Sequence, residues 1–237
     1  MITIKAICLL AALLAVSVSL LSMTFKSAAA AEDHNPVEVI WHGHSCVELR
    51  GKDGTVVIDP FTGVPGFDPL KLKADLVLAT HEHGDHNYFT AVELSGRETN
   101  IQVETIESFH DDRGGSLRGT NKIFIVTLDD IRIAHFGDLG TDQLTDEQLS
   151  RLKALDVLFI PVGGYYTIDG PTAAKLVKQL RPDLTIPIHY RSGKFDYEQI
   201  SEVTPFTDQF NNVVTLDTNR FKVGDYHNSV LVLKIKQ

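Results

Sequence analysis

The run Thr80-His81-Glu82-His83-Gly84-Asp85-His86 packs three imidazoles and an aspartate carboxylate into six positions from His81 to His86. Imidazole and carboxylate are ligands for borderline-hard divalent ions, and a loop this dense can offer two pairs of donors to two adjacent cations. A histidine cluster can also be a solvated surface tract. Here it follows the apolar run Asp75 to Thr80, read as a buried strand, and carries a turn glycine, so the metal reading is preferred. Three isolated candidates follow at the ends of later apolar runs: His110 after Glu107-Ser108-Phe109, Asp138 after His135-Phe136-Gly137, and His189 after Ile186-Pro187-Ile188. Each alone reads as an ordinary polar loop residue. In this order, after the first cluster, they read as one constellation.

Such residues must be carried by a framework of short strands. Val37 to Trp41, Ser45 to Leu49 and Thr55 to Asp59 form an antiparallel meander, the last two joined by the turn Gly51-Lys52-Asp53-Gly54. Ile101 to Glu107, Lys122 to Leu128 and Ile131 to Phe136 are strands, the last pair turning at Asp129-Asp130. Helical spacing then appears over Thr145 to Leu155, with Thr145 and Gln148 placed for a capping box. Asp156 to Val162 is a strand, and Pro171 to Leu180 is an amphipathic helix with proline in its first turn. Thr185 to His189 is a strand, Tyr197 to Val203 a short helix, and Val213 to Leu216 and Ser229 to Ile235 complete the sheets. No repeat or long linker divides this region, so residues 32–237 read as one domain.

With this order of motifs, the sequence resembles the metallo-β-lactamase-fold superfamily of metal-dependent hydrolases from Val37 to His189. Gly43-His44-Ser45 and Asp59-Pro60-Phe61 are similar to the branch of ascorbate-6-phosphate lactonase-like and N-acyl-phosphatidylethanolamine phospholipase D-like proteins. The resemblance implies an α/β four-layer αββα sandwich, with helices outside two packed mixed sheets and the site at the sheet edges. It implies that His81, His83 and His110 hold one divalent ion, that Asp85, His86 and His189 hold a second, and that Asp138 bridges them. Zinc is the expected metal, with manganese or iron accepted by the same donors. Asp59 would prop the ligand loop through hydrogen bonds. Two such ions, about 3.5 to 4 Å apart, activate a bridging hydroxide against a carbonyl or phosphorus. Asp85 would orient that nucleophile and pass its proton to the leaving group. Antibiotic-degrading members replace the bridging aspartate by Cys or Ser, so the retained Asp138 disfavours β-lactamase activity. Members built around one iron carry out redox chemistry, whereas the full ligand set here favours hydrolysis.

The protein has 237 residues, 43% hydrophobic and 22% charged, enough to bury one substantial core. Its formal charge of -9 gives no sequence-independent grip on nucleic acid, so a nucleic-acid partner is excluded and a small-molecule substrate expected. The same acidity tips the substrate towards a lactone or other carboxylic ester, with a phosphodiester as the alternative. Lys5, the uncharged run Ala6 to Leu21 and the closing alanines 28–31 read as a cleaved secretory signal over residues 1–31, hence an extracytoplasmic protein without stable membrane insertion. An uncleaved anchor is the alternative. Export is unexpected for a cytoplasmic sugar-phosphate lactonase and puts that substrate in doubt. Cys8 lies in the signal and Cys46 reads as a small buried hydrophobe, so no disulfide forms within the folded part.

Several residues stay ambiguous at this level. His42 and His44 would share a strand face, as structural imidazoles or, for His44, as a contact near the metal or substrate. His135 reads as core or as a support for the ligands, and His34 and His227 as surface residues. The glycine-rich loop Asp111 to Gly119 is either a mobile lid whose Arg113 or Arg118 meets an anionic group, or a solvated loop whose charges pair with Asp111 and Asp112. In Gly163-Gly164-Tyr165-Tyr166-Thr167, where the glycines allow a sharp turn, a tyrosine, Tyr165 foremost, either lines the pocket or packs.

Overall fold

A computed structural model describes residues 37–235, so the signal reading for residues 1–31 lies outside the described residues. The meander forms as expected from strands β1 (Glu38–Gly43), β2 (Cys46–Arg50) and β3 (Thr55–Ile58). Their alternation sorts side chains to two faces. Val39, Trp41, Val47, Leu49, Val56 and Ile58 face the main core, while Cys46 and Val57 join a smaller cluster with Phe61, Val64, Ala74 and Val92 on the other side. Cys46 is the small buried hydrophobe expected, its thiol pushed up by burial and by the Asp59 and Glu48 charges.

Strands β5 (Leu76–Leu78) and β13 (Arg220–Lys222) extend this sheet in the order β13-β1-β2-β3-β5. The strand expected at Asp75 to Thr80 is therefore an edge strand. It is three residues long and half-buried rather than buried, which leaves the histidine loop after it at an open sheet margin. The outer cluster is completed by Phe61, Val64, Phe67 and Leu70 of the loop after β3 and by a short parallel ladder of β4 (Leu72–Ala74) with β6 (Val92–Leu94).

The second sheet has the order β12-β14-β11-β10-β9-β8-β7. Strands β7 (Gln102–Phe109), β8 (Thr120–Leu128) and β9 (Ile131–His135) pair antiparallel; β10 (Val157–Pro161), β11 (Leu184–Ile188), β12 (Val213–Thr215) and β14 (Ser229–Val232) continue parallel to β9. Every residue of β10 and β11 is buried, as parallel strands covered on both faces require. The two sheets share one core that joins Trp41 and Ile58 to Ile123, Ile125 and Phe159. Helix α1 (Asp146–Arg151) carries the Thr145–Gln148 capping box. Helix α2 (Gly170–Leu180) starts on the Asp169 cap and buries Ala173, Ala174, Leu176 and Val177 in the main core.

Tyr197 to Val203 is not a helix. Asp196 adopts φ 74°, its carboxylate takes the Tyr197 backbone N–H, and helix α3 (Thr204–Thr207) begins only beside Pro205. The chain in between is spent carrying Asp196 and Tyr197 to the ends of the strands. Among the described residues no helix is long and apolar enough to cross a membrane.

Candidate metal centre

The expected ligands converge where strands of both sheets end. Asp59 follows β3, His81 follows β5, His110 follows β7, Asp138 follows β9 and His189 follows β11. Local backbone geometry aims them. Asp59 sits at φ 53°, with Oδ1 accepting the Thr80 N–H at 2.7 Å and Oδ2 accepting the Thr80 hydroxyl at 2.8 Å, which ties β3 to the start of the histidine loop. Asn121 on β8 donates Nδ2–H to the Phe136 carbonyl and accepts the Asp138 N–H at 3.0 Å, so the Gly137 turn presents Asp138 in one pose. His189, at φ 50°, donates its backbone N–H to the His44 carbonyl at 3.0 Å.

Asp138 Oδ2 is the centre of the arrangement. The Nε2 atoms of His86, His110 and His189 lie 3.3, 3.3 and 3.2 Å from it. The donor atoms of His81, His83 and His110 lie within 4.8 Å of one another, as do those of His81, His86 and Asp138 and those of His44, His86 and His189. Asp85 is in none of these sets. Its carboxylate is 24% exposed, with Oδ2 accepting the Tyr197 hydroxyl at 3.3 Å and standing 3.6 Å from His44 Nε2.

Charge follows from this packing. Burial works against ionised Asp138, but His189 and His86 hold its carboxyl well below the usual range. Asp85 is likewise lowered against burial by His44 and His86. Burial opposes the charged form of His86, yet Asp138 and Asp59 raise it well above the ordinary imidazole value. His44 is raised to about 9 by Asp196 and Asp85 despite burial. His81 is pushed down to about 3 by burial and by His86, and burial also lowers His110. Anionic carboxylates thus face two imidazoles favoured as cations, His44 and His86, and two held neutral, His81 and His110. Among the described residues His81 Nε2 is buried within the cluster without a hydrogen-bond partner, which a folded protein rarely tolerates unless something else binds it. These nitrogen and oxygen donors fit divalent metal.

A cavity of about 360 Å³ opens over the cluster, walled by Arg118, Tyr166 and Tyr197 above His83, Asp85 and His189. A larger groove of about 500 Å³, beside Arg191 and Lys234, contains none of the clustered donors. Tyr165 does not line the site cavity: at φ 60° it turns outward, 64% exposed, into a neighbouring depression beside Asp111, and Tyr166 takes the inner position. The loop after His110 is wrapped on the Asp111 carboxylate, which accepts the backbone N–H groups of Arg113, Gly115, Leu117 and Arg118. Arg113 points away, 3.8 Å from Asp112. Arg118 reaches the cavity, donating to the Tyr165 carbonyl at 3.0 Å and lying 5.8 Å from the Tyr166 ring centre, with no carboxylate partner among the described residues.

The remaining histidines separate clearly. His42 bonds Glu48 at 2.8 Å, His135 bonds the Ser45 carbonyl at 2.9 Å inside the core, and His227 pairs with Asp183 at the surface. His44 is in the turn after β1 at φ 49°, not in register with His42 on a strand face, and its ring is fully buried against His86 and His189. Asn121, Asp196 and Tyr197 went unread in the sequence as site residues; each meets a site partner that is distant in the chain.

Comparison with known proteins agrees with this geometry. The Beta-lactamase superfamily domain model matches residues 38–189. A UPF0173 metal-dependent hydrolase of Thermoplasma acidophilum is 31% identical over 191 residues, covering 66% of this chain and 84% of the relative. Another of that name from Archaeoglobus fulgidus is 31% identical over 198 residues, with the same coverage. A Thermotoga maritima structure of the metallo-beta-lactamase superfamily, proposed to be a Zn-dependent hydrolase, superposes with TM-score 0.65 at 26% identity, over 83% of this chain and 98% of that one.

Proposed function

The chain belongs to the metallo-β-lactamase superfamily of metal-dependent hydrolases, and from that premise we propose that it is a binuclear hydrolase of a small anionic lactone or other carboxylic ester. The observation that carries this reading is the convergence of His86, His110 and His189 Nε2 on Asp138 Oδ2 at the floor of an open cavity. His81, His83 and His110 would hold one ion, His86, His189 and Asp85 the other, with Asp138 between them. When bound, such ions make a water nucleophilic near neutral pH and offset the charge developing on the substrate oxygen.

The chain's own groups do the rest. Asp85, anionic and cavity-facing, accepts the proton of the attacking water at Oδ2 and returns it to the leaving oxygen. The Tyr197 hydroxyl holds that carboxylate in place. Tyr166 and Tyr197 form an apolar wall for the acyl part. Arg118, which has no carboxylate partner among the described residues, offers its guanidinium at the wall of the cavity, where a carboxylate or phosphate of the substrate would bind. That same guanidinium favours a phosphodiester as the second reading. Export rests on the pattern of residues 1–31, and membrane-fraction and medium assays of the tagged full chain test it.

Elemental analysis of the purified protein, with a lactone, an aryl ester and bis-p-nitrophenyl phosphate assayed on the same sample, tests the proposal. Two equivalents of metal, and ester or lactone turnover that a chelator abolishes, are expected. One iron, or no metal, without turnover of any of the three would overturn it.

A further inference from the structure

Accepting the binuclear reading, we propose that His44 Nε2 is itself a ligand of the second cation, alongside His86 and His189, and that Asp196 is the positioning residue that makes it one.

The argument starts from where the protons are. His44 Nδ1 lies 2.9 and 3.1 Å from the two oxygens of Asp196, so Nδ1–H donates to that carboxylate. His86 Nδ1 lies 3.1 Å from Asp59 Oδ2 and donates in the same way. In neutral imidazole a proton on Nδ1 leaves a lone pair on Nε2. The two Nε2 atoms nonetheless face each other at 3.2 Å, both inside fully buried rings. At this distance either one ring carries a second proton, whose Nε2–H donates to the other ring's lone pair, or a cation stands in that proton's place. Two nitrogens bound at about 2.0–2.1 Å to one divalent ion stand about 2.9 to 3.3 Å apart from octahedral to tetrahedral geometry, a range that includes the separation here.

Neighbouring distances agree. His44 Nε2 is 3.6 Å from Asp85 Oδ2, too long for a hydrogen bond but ordinary for two atoms sharing one ion. His189 supplies a third imidazole within 4.8 Å of both. The His44 backbone is held as firmly as its ring: the carbonyl accepts from His189 N–H and from Trp41 Nε1–H, each at 3.0 Å. Asp196 is buried and takes the Tyr197 N–H as well, so the pair has the carboxylate–imidazole–metal order that fixes a ligand's tautomer. The pairing of Asp59 with His86 repeats this order on the neighbouring imidazole.

Direct coordination is read from the full chain labelled with ¹⁵N-histidine and loaded with ¹¹³Cd, since only a bound nitrogen shows scalar coupling to the metal. A coupling from His44 Nε2 is expected in addition to those of His86 and His189, assigned by its loss in His44→Gln. In that variant the affinity for the second ion falls by more than about 100-fold, whereas Asp196→Asn keeps the coupling, shifts the Nδ1 resonance and weakens affinity by about 10–100-fold. The wild-type coupling needs no variant to fold. A two-cadmium wild-type protein with His44 Nε2 uncoupled overturns the assignment while leaving the binuclear reading intact. A chain that holds a single ion without this coupling removes both.

Discussion

Asp59 shows how much of the site depends on residues that do not touch the reacting atoms. Its fully buried carboxylate spends one oxygen on the Thr80 N–H and the other on the Thr80 hydroxyl and the His86 Nδ1–H, and the favourable contacts outweigh the burial that opposes its charge. Asp59→Asn keeps the shape but puts an amide where His86 needs an acceptor. Removing one partner of a buried pair costs about 3–5 kcal/mol, so the variant melts lower and binds the second ion about 10–100-fold more weakly, read by calorimetry and chelator competition. Arg118 makes a different prediction. It touches no donor in the clusters, so Arg118→Ala raises KM for an anionic ester by about tenfold or more with kcat little changed, as loss of a charged hydrogen bond implies. Equal KM in wild type and variant would remove Arg118 from substrate recognition. The clustered donors proposed as ligands were legible in the sequence because His81 to His86 are contiguous and the others end apolar runs. Asp196 was not, being 152 residues from the His44 ring it holds. Tyr165 and Tyr166 are adjacent tyrosines whose roles are separated by a single left-handed backbone angle, which composition does not encode.

Elements bring these residues together only where backbones approach closely. Gly163, at the end of β10, is such a place: a Cβ there would overlap the His189 carbonyl oxygen. Gly163→Ala therefore pushes the His189 backbone away from β10. Overpacking of this kind costs about 1–3 kcal/mol, and the displaced imidazole weakens metal binding as well. Measuring melting temperature and metal affinity together checks this, since an alanine tolerated with neither changed would show that the strand ends have slack. Strong periodicity made most of the framework readable: β10 and β11 as apolar runs, α2 through its proline start, α1 through its capping box. The β4–β6 ladder and β13 are three residues each, too short for any period to register, and form because a neighbouring edge is there to pair with. Tyr197 to Val203 has helical composition, but the tie of His44 to Asp196 overrides local preference.

For the whole molecule, the shared core between the sheets and the charged centre at their ends make opposite demands. Apolar burial holds the sheets together, whereas Asp59, Asp138, His81 and His86 are polar groups taken out of water, a placement that is unfavourable unless they are paired or bound to metal. Metal binding should therefore appear as folding stability. At a free concentration about 100 times Kd, one ion adds about 2.7 kcal/mol, or about 5–10 °C in Tm for a domain of this size. The pH dependence has a definite sign. His81 stays neutral in the fold down to about 3, while its ordinary value is 6.5, so the metal-free protein loses stability through this group as pH falls below about 6.5. His44, raised to about 9, does the reverse: its proton stabilises the metal-free fold at and below about 6.5, and that contribution fades as pH rises towards 9. A metal ion replaces protons at such groups, so its affinity rises over the same interval. Calorimetry with and without chelator from pH 6 to 9 should show a Tm gap that widens with pH. A gap that stays constant would mean that no proton is displaced on binding, and that the imidazoles around Asp138 are already neutral before the metal arrives.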